Sequence, residues 1–330
     1  MTMEPPPPHK PTNLAGGRQS GASKRAVKER PGDRVFSGSA RFAGTFILLI
    51  LVAVSLFLVV EGLPAVTADP NSIGLLRGRN FFQWVGPLVF GTLWAAALAL
   101  LMAFPVAIGV ALFISHYAPR RIAIVLGYVV DLLAAVPSVV YGLWGGVVLA
   151  REMQPVYAWL ESTLSFIPLF AGPASGTGRT IFTAALVLAV MVLPIITAVS
   201  REVFLQTPKL YEEAALALGA TKWEMIREVV LPVGRGGIIS AGMLGLGRAL
   251  GETLAVAMVL SASGVVTFNL ISSTNPSTIA ANIALSFPEA YGLNINLLIA
   301  SGLVLFAITL VVNSFARWII ERRADFTGAN

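Results

Sequence analysis

Long apolar stretches alternate with short polar segments along most of the chain. Six of these stretches are long enough to cross the about 30 Å of hydrocarbon in a lipid bilayer. They cover residues 42–60, 86–115, 122–150, 181–201, 236–261 and 294–316. Pro105 and Pro137 lie inside the second and third stretches, where neighbouring helices can satisfy the freed carbonyls, so we expect kinks there. The pattern predicts an all-α integral membrane protein with six transmembrane helices.

Composition supports a membrane protein and narrows its chemistry. The 330 residues are 56% hydrophobic and 12% charged, whereas a soluble domain carries about 25% charged residues. The sequence has no cysteine, and its two histidines, His9 and His116, lie far apart. Disulfides, thiol catalysis and a histidine-ligated metal site are therefore excluded. The phosphate-binding motif G-x-x-x-x-G-K-[ST] is also absent, so we expect no catalytic residues, no cofactor, no metal and no ATP hydrolysis by this chain.

The positions of the positive charges predict the orientation of the chain. With the N-terminus inside, 18 of the 23 Lys and Arg residues fall in cytoplasmic segments and 4 fall in outer segments, and Arg248 lies within a span. Cytoplasmic loops of membrane proteins carry an excess of Lys and Arg. We therefore predict that both termini lie in the cytoplasm.

The same pattern divides the chain into regions. Residues 1–41 form a predicted disordered basic tail, because they lack apolar periodicity and contain a run of prolines. Residues 42–62 form the first transmembrane helix, residues 86–317 a core of five transmembrane helices, and residues 318–330 a second cytoplasmic tail. The basic N-terminal tail suits a surface of anionic membrane lipid. It lacks the interleaved aromatic residues of a nucleic-acid binder, so we expect no nucleic-acid partner.

Two polar segments, residues 151–180 and 262–293, face the outside in this topology. The first has room for an interfacial helix, and the second is rich in Ser, Thr and Asn. Two roles fit these segments: they dock an extracytoplasmic partner, or they simply connect the spans.

Residues 201–232 form a long, charge-rich segment between two spans. Gly219 divides it into two predicted helices, because helices often end at a glycine in the left-handed conformation. Thr207 is the expected N-cap of the first helix, with Pro208 at its first position. Thr221 and Glu224 form a predicted capping box at the start of the second helix.

The second helix of this segment is predicted to end at Pro232. Trp223, Ile226 and Val230 are three and four residues apart, so they share one face of that helix. The segment is therefore expected to be an amphipathic hairpin at the cytoplasmic surface.

Three ionisable side chains lie inside predicted spans: Asp131 in the third, and Arg248 and Glu252 in the fifth. At about 1.5 Å per residue, Asp131 lies roughly 14 Å deep and Arg248 roughly 18 Å deep, so they can meet. Arg248 and Glu252 are four residues apart on one helix face, where they can pair. An unpaired charge at this depth costs about 3 kcal/mol. A substrate path and a purely structural ion pair both fit the three residues.

Two further features favour the substrate path. Gly245, Gly247 and Gly251 surround Arg248, and small residues allow close approach of another helix or a ligand. The planar donor fork of arginine suits an oxyanion such as phosphate.

The charged hairpin also carries a recognisable motif. Glu213, Ala214 and Ala215 are followed at fixed spacing by Gly219, and then by Leu231 and Pro232. This resembles the EAA loop of permease subunits of bacterial ATP-binding-cassette (ABC) importers. The resemblance implies a type-1 ABC importer permease fold in a bacterial inner membrane. It also implies that these six residues belong to the cytoplasmic coupling helix, which docks on a separate ATPase.

Two membrane segments narrow the resemblance. Residues 135–145 (AVPSVVYGLWG) and 245–253 (GLGRALGET) resemble phosphate-specific permeases, and the continuation Leu254-Ala255-Val256 is similar to those of the PstC type. The resemblance implies a heterodimer with a PstA-like permease, two cytoplasmic ATPase subunits and an extracytoplasmic phosphate-binding protein. Inorganic phosphate would be the substrate, and Arg248, Glu252 and Asp131 would lie along its path.

Two other functions remain open at this point. A permease of the same class for sulfate or molybdate would carry the same coupling loop, and only the residues around Arg248 argue against it. A self-contained secondary transporter or membrane enzyme would need inverted repeats or an intramembrane catalytic cluster, and neither is visible in the sequence.

Overall fold

A computed structural model describes residues 31–324. Most of the predicted N-terminal tail, and the last residues of the C-terminal one, lie outside the described residues. The contacts divide the chain into two units at a boundary within the first helix, one up to Ala53 and one from Val54. Within residues 31–324 the α-helices are α1 (Pro31–Thr67), α2 (Phe81–Leu112), α3 (Arg120–Ala134), α4 (Ser138–Trp144), α5 (Ala150–Leu164), α6 (Ile181–Leu205), α7 (Lys209–Ala217), α8 (Lys222–Met225), α9 (Leu231–Gly251), α10 (Leu254–Val259), α11 (Ile279–Ser286) and α12 (Leu293–Ala324).

The all-α prediction is confirmed, since the described residues pair only at two isolated β-bridges and form no strand. Five helical segments of this part of the chain are long and apolar enough to cross a membrane: Val35–Thr67, Phe81–Tyr117, Ile181–Leu205, Lys222–Gly251 and Leu293–Ile319. Arg120–Ala134 and Ser138–Leu164 pass the same test only as a bent pair, which is either a sixth, broken span or a re-entrant loop.

The first helix begins earlier than the apolar pattern predicted. α1 starts at Pro31, so residues 31–41 are helical and the prediction of a disordered tail was wrong for them. Extending an existing helix adds one hydrogen bond for each residue fixed, so a polar segment can continue a stable apolar helix.

The third predicted span is broken. α3 ends at Ala134, and the helical segment from Ser138 to Leu164 leaves at 87° to it. Pro137 lies in the break, and the residue before a proline is disfavoured in the helical conformation. The prediction of a kinked but continuous helix over residues 122–150 was therefore wrong, and the bent arm extends into the outer segment as α5.

The fifth predicted span is broken near its outer end. α9 stops at Gly251, Glu252 adopts an extended conformation (φ −68°, ψ 127°), and α10 begins at Leu254. The prediction of one helix over residues 236–261 was therefore wrong beyond Gly251.

The N-terminal end of the same span also differs from the prediction. Pro232 does not end the hairpin's second helix, because helical structure continues from Lys222 to Gly251. A π-helical turn over Ile226–Val230 precedes the proline, and Leu231 N–H bonds to the carbonyl of Ile226, five residues back. The wider turn accommodates the proline ring and its missing N–H, which explains why the helix survives.

The core lies between α2 and α6. One row of α2 consists of alanines repeating every four residues, each at most 1% exposed: Ala95, Ala99, Ala103, Ala107 and Ala111. Small side chains let two helices approach closely, which is a main source of association in lipid. α6 supplies larger partners from its own buried face, including Leu188, Met191 and Ile196.

The two outer segments interlock through Asn275. Its side chain is fully buried; its Oδ1 accepts from Ile181 N–H (3.0 Å), and its Nδ2 donates to the carbonyls of Arg179 (3.2 Å) and Ser261 (3.1 Å). This side chain thereby satisfies three backbone groups from two separate stretches of the chain. The outer segments are therefore an ordered layer over the helices.

Candidate functional site

Arg248 lies near the outer end of α9 and lines a cavity of about 640 Å³. The other polar residues of the lining are Ser240 on the same helix and Asn313 and Arg317 on α12. The Nε atom of Arg248 is buried and has no hydrogen-bond partner within residues 31–324. Burying a cationic donor without an acceptor is unfavourable, so this group calls for a negative partner from outside the described residues.

The expected pair between Arg248 and Glu252 does not form in the described structure. α9 ends between the two residues, so their spacing of four no longer places them on one helix face. Glu252 Oε1 instead accepts the backbone N–H of Ala255 at 3.1 Å, and the residue is 9% exposed. Glu252 thus acts as an N-terminal cap for α10.

Asp131 is also separate from Arg248. Its Oδ2 lies 3.8 Å from Nη2 of Arg201 on α6, and its side chain is 52% exposed. Both residues line a second cavity, between α3 and the end of α6. The expectation that Asp131 meets Arg248 at a common depth was therefore wrong. Equal depth on two helices does not determine whether the two side chains face each other.

The three glycines around Arg248 divide into two kinds. Gly245 packs against Ile196 of α6, so it serves the approach of a neighbouring helix. The positions of a Cβ atom on Gly247 and Gly251 meet nothing within 4 Å. These two glycines leave an open surface beside Arg248.

The second functional region is the hairpin formed by α7 and α8. Gly219 has φ +91°, as predicted for the residue that ends α7. Ala220 N–H bonds to the carbonyl of Ala215 (3.2 Å) and Gly219 N–H to that of Leu216 (3.0 Å), which is the Schellman motif. The predicted capping box is confirmed: Thr221 N–H donates to Glu224 Oε2 (2.7 Å), and Glu224 N–H donates to Thr221 Oγ1 (3.3 Å).

The predicted start of α7 was wrong by one residue. Pro208 occupies the N-cap position, and the buried Oγ1 of Thr207 has no hydrogen-bond partner in the described structure. A proline cannot offer a side-chain cap, so the first turn of α7 lacks one.

One side of the hairpin is anchored to the helical core. Met225, Ile226 and Val230 are buried in a cluster with Phe204 of α6 and Ala111 of α2. Trp223, predicted to share this apolar face, is 56% exposed instead. The anchored side fixes the direction in which the hairpin projects.

The other side of the hairpin is exposed and largely apolar. Within the motif, Glu213 and Ala214 are exposed, whereas Ala215 packs against the buried cluster. Four large apolar side chains of the hairpin are also exposed, which sequence reasoning missed: Leu210 (71%), Tyr211 (55%), Leu216 (46%) and Leu218 (90%). A concentrated apolar surface of this kind is typical of a protein–protein contact.

Polar contacts hold the hairpin to the end of α2. His116 Nε2 lies 3.5 Å from Glu212 Oε1, and His116 Nδ1 lies 2.7 Å from Ser115 Oγ. Lys222 Nζ stands over the ring of Tyr117, 4.9 Å from its centre. The sequence signal for these contacts is the polar run Ser115–Tyr117 at the end of a span. Its partners on the hairpin, Glu212 and Lys222, are about a hundred residues away.

Similarity to known proteins agrees with these two regions. Residues 107–325 match the family described as "Binding-protein-dependent transport system inner membrane component". The chain is 43% identical over 309 residues to "Phosphate transport system permease protein PstC 2" of Mycobacterium tuberculosis, with 89% of this chain and 94% of that protein covered. It is 38% identical over 307 residues to "Phosphate transport system permease protein PstC" of Mesorhizobium japonicum, with 90% and 92% covered.

Solved structures of similar fold are membrane chains of ABC transporters. A chain of a bacterial transporter involved in import of the polysaccharide alginate matches with a TM-score of 0.56 and 19% identity, over 89% of this chain and 99% of that one. A chain of the MetNI methionine transporter in an inward-facing conformation matches with a TM-score of 0.51 and 17% identity, over 71% and 95%. At these identities the likeness shows the fold, and it confirms the predicted type-1 importer permease architecture.

Proposed function

The chain belongs to the family of binding-protein-dependent transport system inner membrane components, and on that premise we propose that it is the transmembrane permease subunit of an ATP-driven importer of inorganic phosphate. It is a multi-pass inner membrane protein and a transport component of an ABC transporter complex, with ATP hydrolysis left to another chain. Its relatives that are 37–43% identical are named as phosphate permeases of the PstC type, which supports phosphate as the substrate.

The observation that carries the proposal is the unpartnered guanidinium of Arg248 beside an open cavity. A guanidinium presents its N–H donors in a planar fork that matches the oxygens of phosphate. Gly247 and Gly251 leave space next to it. Glu252 supports the site indirectly, because it caps the helix that follows.

The second part of the proposal is that the hairpin couples the permease to the ATPase. Its exposed face, with Glu213, Ala214 and the apolar Leu218, is the surface that docks on the ATPase. Gly219 sets the bend, and Ala215 holds the hairpin to the core. Leu231 and Pro232 lie where the hairpin continues into α9.

The complete importer combines this chain with a PstA-like permease, two cytoplasmic ATPase subunits and an extracytoplasmic phosphate-binding protein. This assembly requires the hairpin, and hence both termini, to be cytoplasmic. The distribution of Lys and Arg supports that orientation. A permease for sulfate or molybdate is the second candidate, since these oxyanions also suit a guanidinium.

Reconstitution tests the proposal directly. The complex is assembled from this chain and its partner subunits in proteoliposomes, and ATP-dependent uptake of radiolabelled phosphate, sulfate and molybdate is measured. We expect uptake of phosphate alone, lost in Arg248→Gln at equal incorporation. Uptake of sulfate or molybdate in preference to phosphate would overturn the substrate, and unchanged uptake by Arg248→Gln would overturn the site.

A further inference from the structure

A second cavity, of about 670 Å³, opens between α3 and the junction of α6 and α7. Its lining includes three cationic side chains from three helices, Arg120 of α3, Arg201 of α6 and Lys209 of α7. The one acidic residue of the lining is Asp131, beside Arg201. The cavity therefore has an excess of positive charge, and nothing proposed above for transport or coupling uses it.

Arg201 is a largely buried part of the cavity wall. Its side chain is 20% exposed, and its buried Nε has no hydrogen-bond partner within the described residues. It passes close to Gly127 of α3, where a methyl group would overlap Nη1. Its ion pair with Asp131 is long, at 3.8 Å, and the carboxylate is half exposed, so the guanidinium keeps donors for another anion.

The position of the cavity along the helices points to the membrane interface. Arg120 begins α3 and Lys209 begins α7, whereas Arg201 lies one turn before the end of the membrane-spanning α6. Beside these cations, Ile124 and Tyr128 of the lining are 50% and 72% exposed, and Leu132, a turn further along α3, is 69% exposed. Cations at the end of a span next to exposed apolar side chains are the arrangement that basic lipid-binding pockets have.

We propose that this cavity binds the phosphate headgroup of an anionic phospholipid. Arg120, Arg201 and Lys209 contact the headgroup, and one acyl chain runs along Ile124, Tyr128 and Leu132. The lipid joins α3 to α7, which is the first helix of the hairpin. It thereby steadies the hairpin in addition to the buried cluster that anchors it.

The surroundings decide between a lipid phosphate and free phosphate. A site for a free anion gains nothing from an exposed apolar flank, whereas an acyl chain covers that flank and removes it from water. Asp131, the acidic residue of the lining, also repels a doubly charged free phosphate more than the singly charged phosphodiester of a lipid. The geometry therefore favours the lipid.

The test measures lipid binding to the full chain in its purified complex. Native mass spectrometry in detergent follows the titration of phosphatidylglycerol, with phosphatidylcholine as the neutral comparison. Arg120→Gln and Lys209→Gln are each expected to weaken binding of phosphatidylglycerol about fivefold, since one cation near a membrane surface contributes about that factor. Arg121→Gln is the matched control, because it removes the same charge from the next residue of α3, outside the cavity lining.

A second variant tests the geometry without changing charge. Gly127→Ala displaces the end of Arg201, so it should also weaken binding of phosphatidylglycerol. Gly109→Ala makes the same change on α2, where a methyl group meets nothing within 4 Å, and should leave binding unchanged. Both sets of variants are compared only in complexes that assemble and elute as the wild type does.

Three results would overturn the proposal. The first is equal binding of the anionic and the neutral lipid by the wild type. The second is an equal loss in Arg120→Gln and Arg121→Gln, which would indicate diffuse attraction to the surface. The third is displacement of the lipid by millimolar inorganic phosphate, with the same dependence on Arg120 and Lys209, which would identify a site for the free anion.

Discussion

The guanidinium of Arg248 is a charge whose counter-charge has to come from outside the described chain. The sequence located it correctly inside a span, because a lone arginine in an apolar stretch is conspicuous. The sequence assigned it the wrong partner, because the spacing of four residues assumed a helix that continues through Gly251. Tertiary structure decides such pairs, and the Arg201–Asp131 pair was missed for the same reason.

A conservative change at Arg248 separates charge from geometry. Arg248→Lys keeps the positive charge but loses the planar fork, so one charge-assisted hydrogen bond to phosphate is lost. We expect ATP-dependent phosphate uptake to fall about tenfold, corresponding to about 1.5 kcal/mol. Arg235→Lys, an exposed change on the same helix, is the control and should transport normally. Equal uptake by the two variants would show that Arg248 contributes only its charge.

Gly219 is a residue for which the local sequence was sufficient. Its φ of +91° costs a residue with a Cβ atom about 1–2 kcal/mol, and no neighbour lies within 4 Å of the Cβ position. Gly219→Val should therefore insert normally but misdirect the hairpin and lose association with the ATPase. Gly219→Asn should retain most of it, because asparagine tolerates this conformation. Co-purification of the ATPase with each variant is the measurement, and wild-type recovery with valine would refute the role of the bend.

At the scale of elements, the prolines did not all act as the sequence rules predicted. Pro105 and Pro194 lie within continuous helices, Pro137 lies at a break of 87°, and Pro232 follows a π-helical turn without ending its helix. Whether a proline bends, breaks or is absorbed depends on what satisfies the freed carbonyl. The apolar pattern does not report this backbone geometry, so the positions of spans were predictable and their continuity was not.

The break between α9 and α10 depends on one carboxylate. Glu252 Oε1 accepts from Ala255 N–H, and Glu252→Ala would leave this donor unsatisfied in a buried place. We expect a loss of about 1 kcal/mol of stability, read as a lower midpoint of thermal unfolding for the purified complex. Glu252→Gln keeps an acceptor oxygen at the same position, so it should unfold close to the wild type. A larger loss for glutamine than for alanine would contradict the capping role.

At the scale of the whole molecule, the distribution of charge predicts which loops face which side. Ser273 lies in the outer layer and Lys222 begins the second helix of the hairpin, and both are exposed. The native chain has no cysteine, so single cysteines at these positions are unique labels. We expect an impermeant thiol reagent added to intact cells to label Ser273→Cys and not Lys222→Cys. Labelling after cell lysis is the control for accessibility, and the reverse pattern would place the hairpin outside.

The continuous helical segment Lys222–Gly251 joins the hairpin to Arg248 without a break. At about 1.5 Å per residue it spans about 45 Å. If the hairpin docks on the ATPase as proposed, a displacement of the hairpin reaches Arg248 through one element. Coupling free energies between two binding sites are reciprocal. The factor by which an ATPase state changes the affinity for phosphate at Arg248 therefore equals the factor by which bound phosphate changes the affinity for that ATPase state. In such an importer, one helical segment carries the effect of phosphate binding to the ATPase and the effect of the ATPase back to the phosphate site.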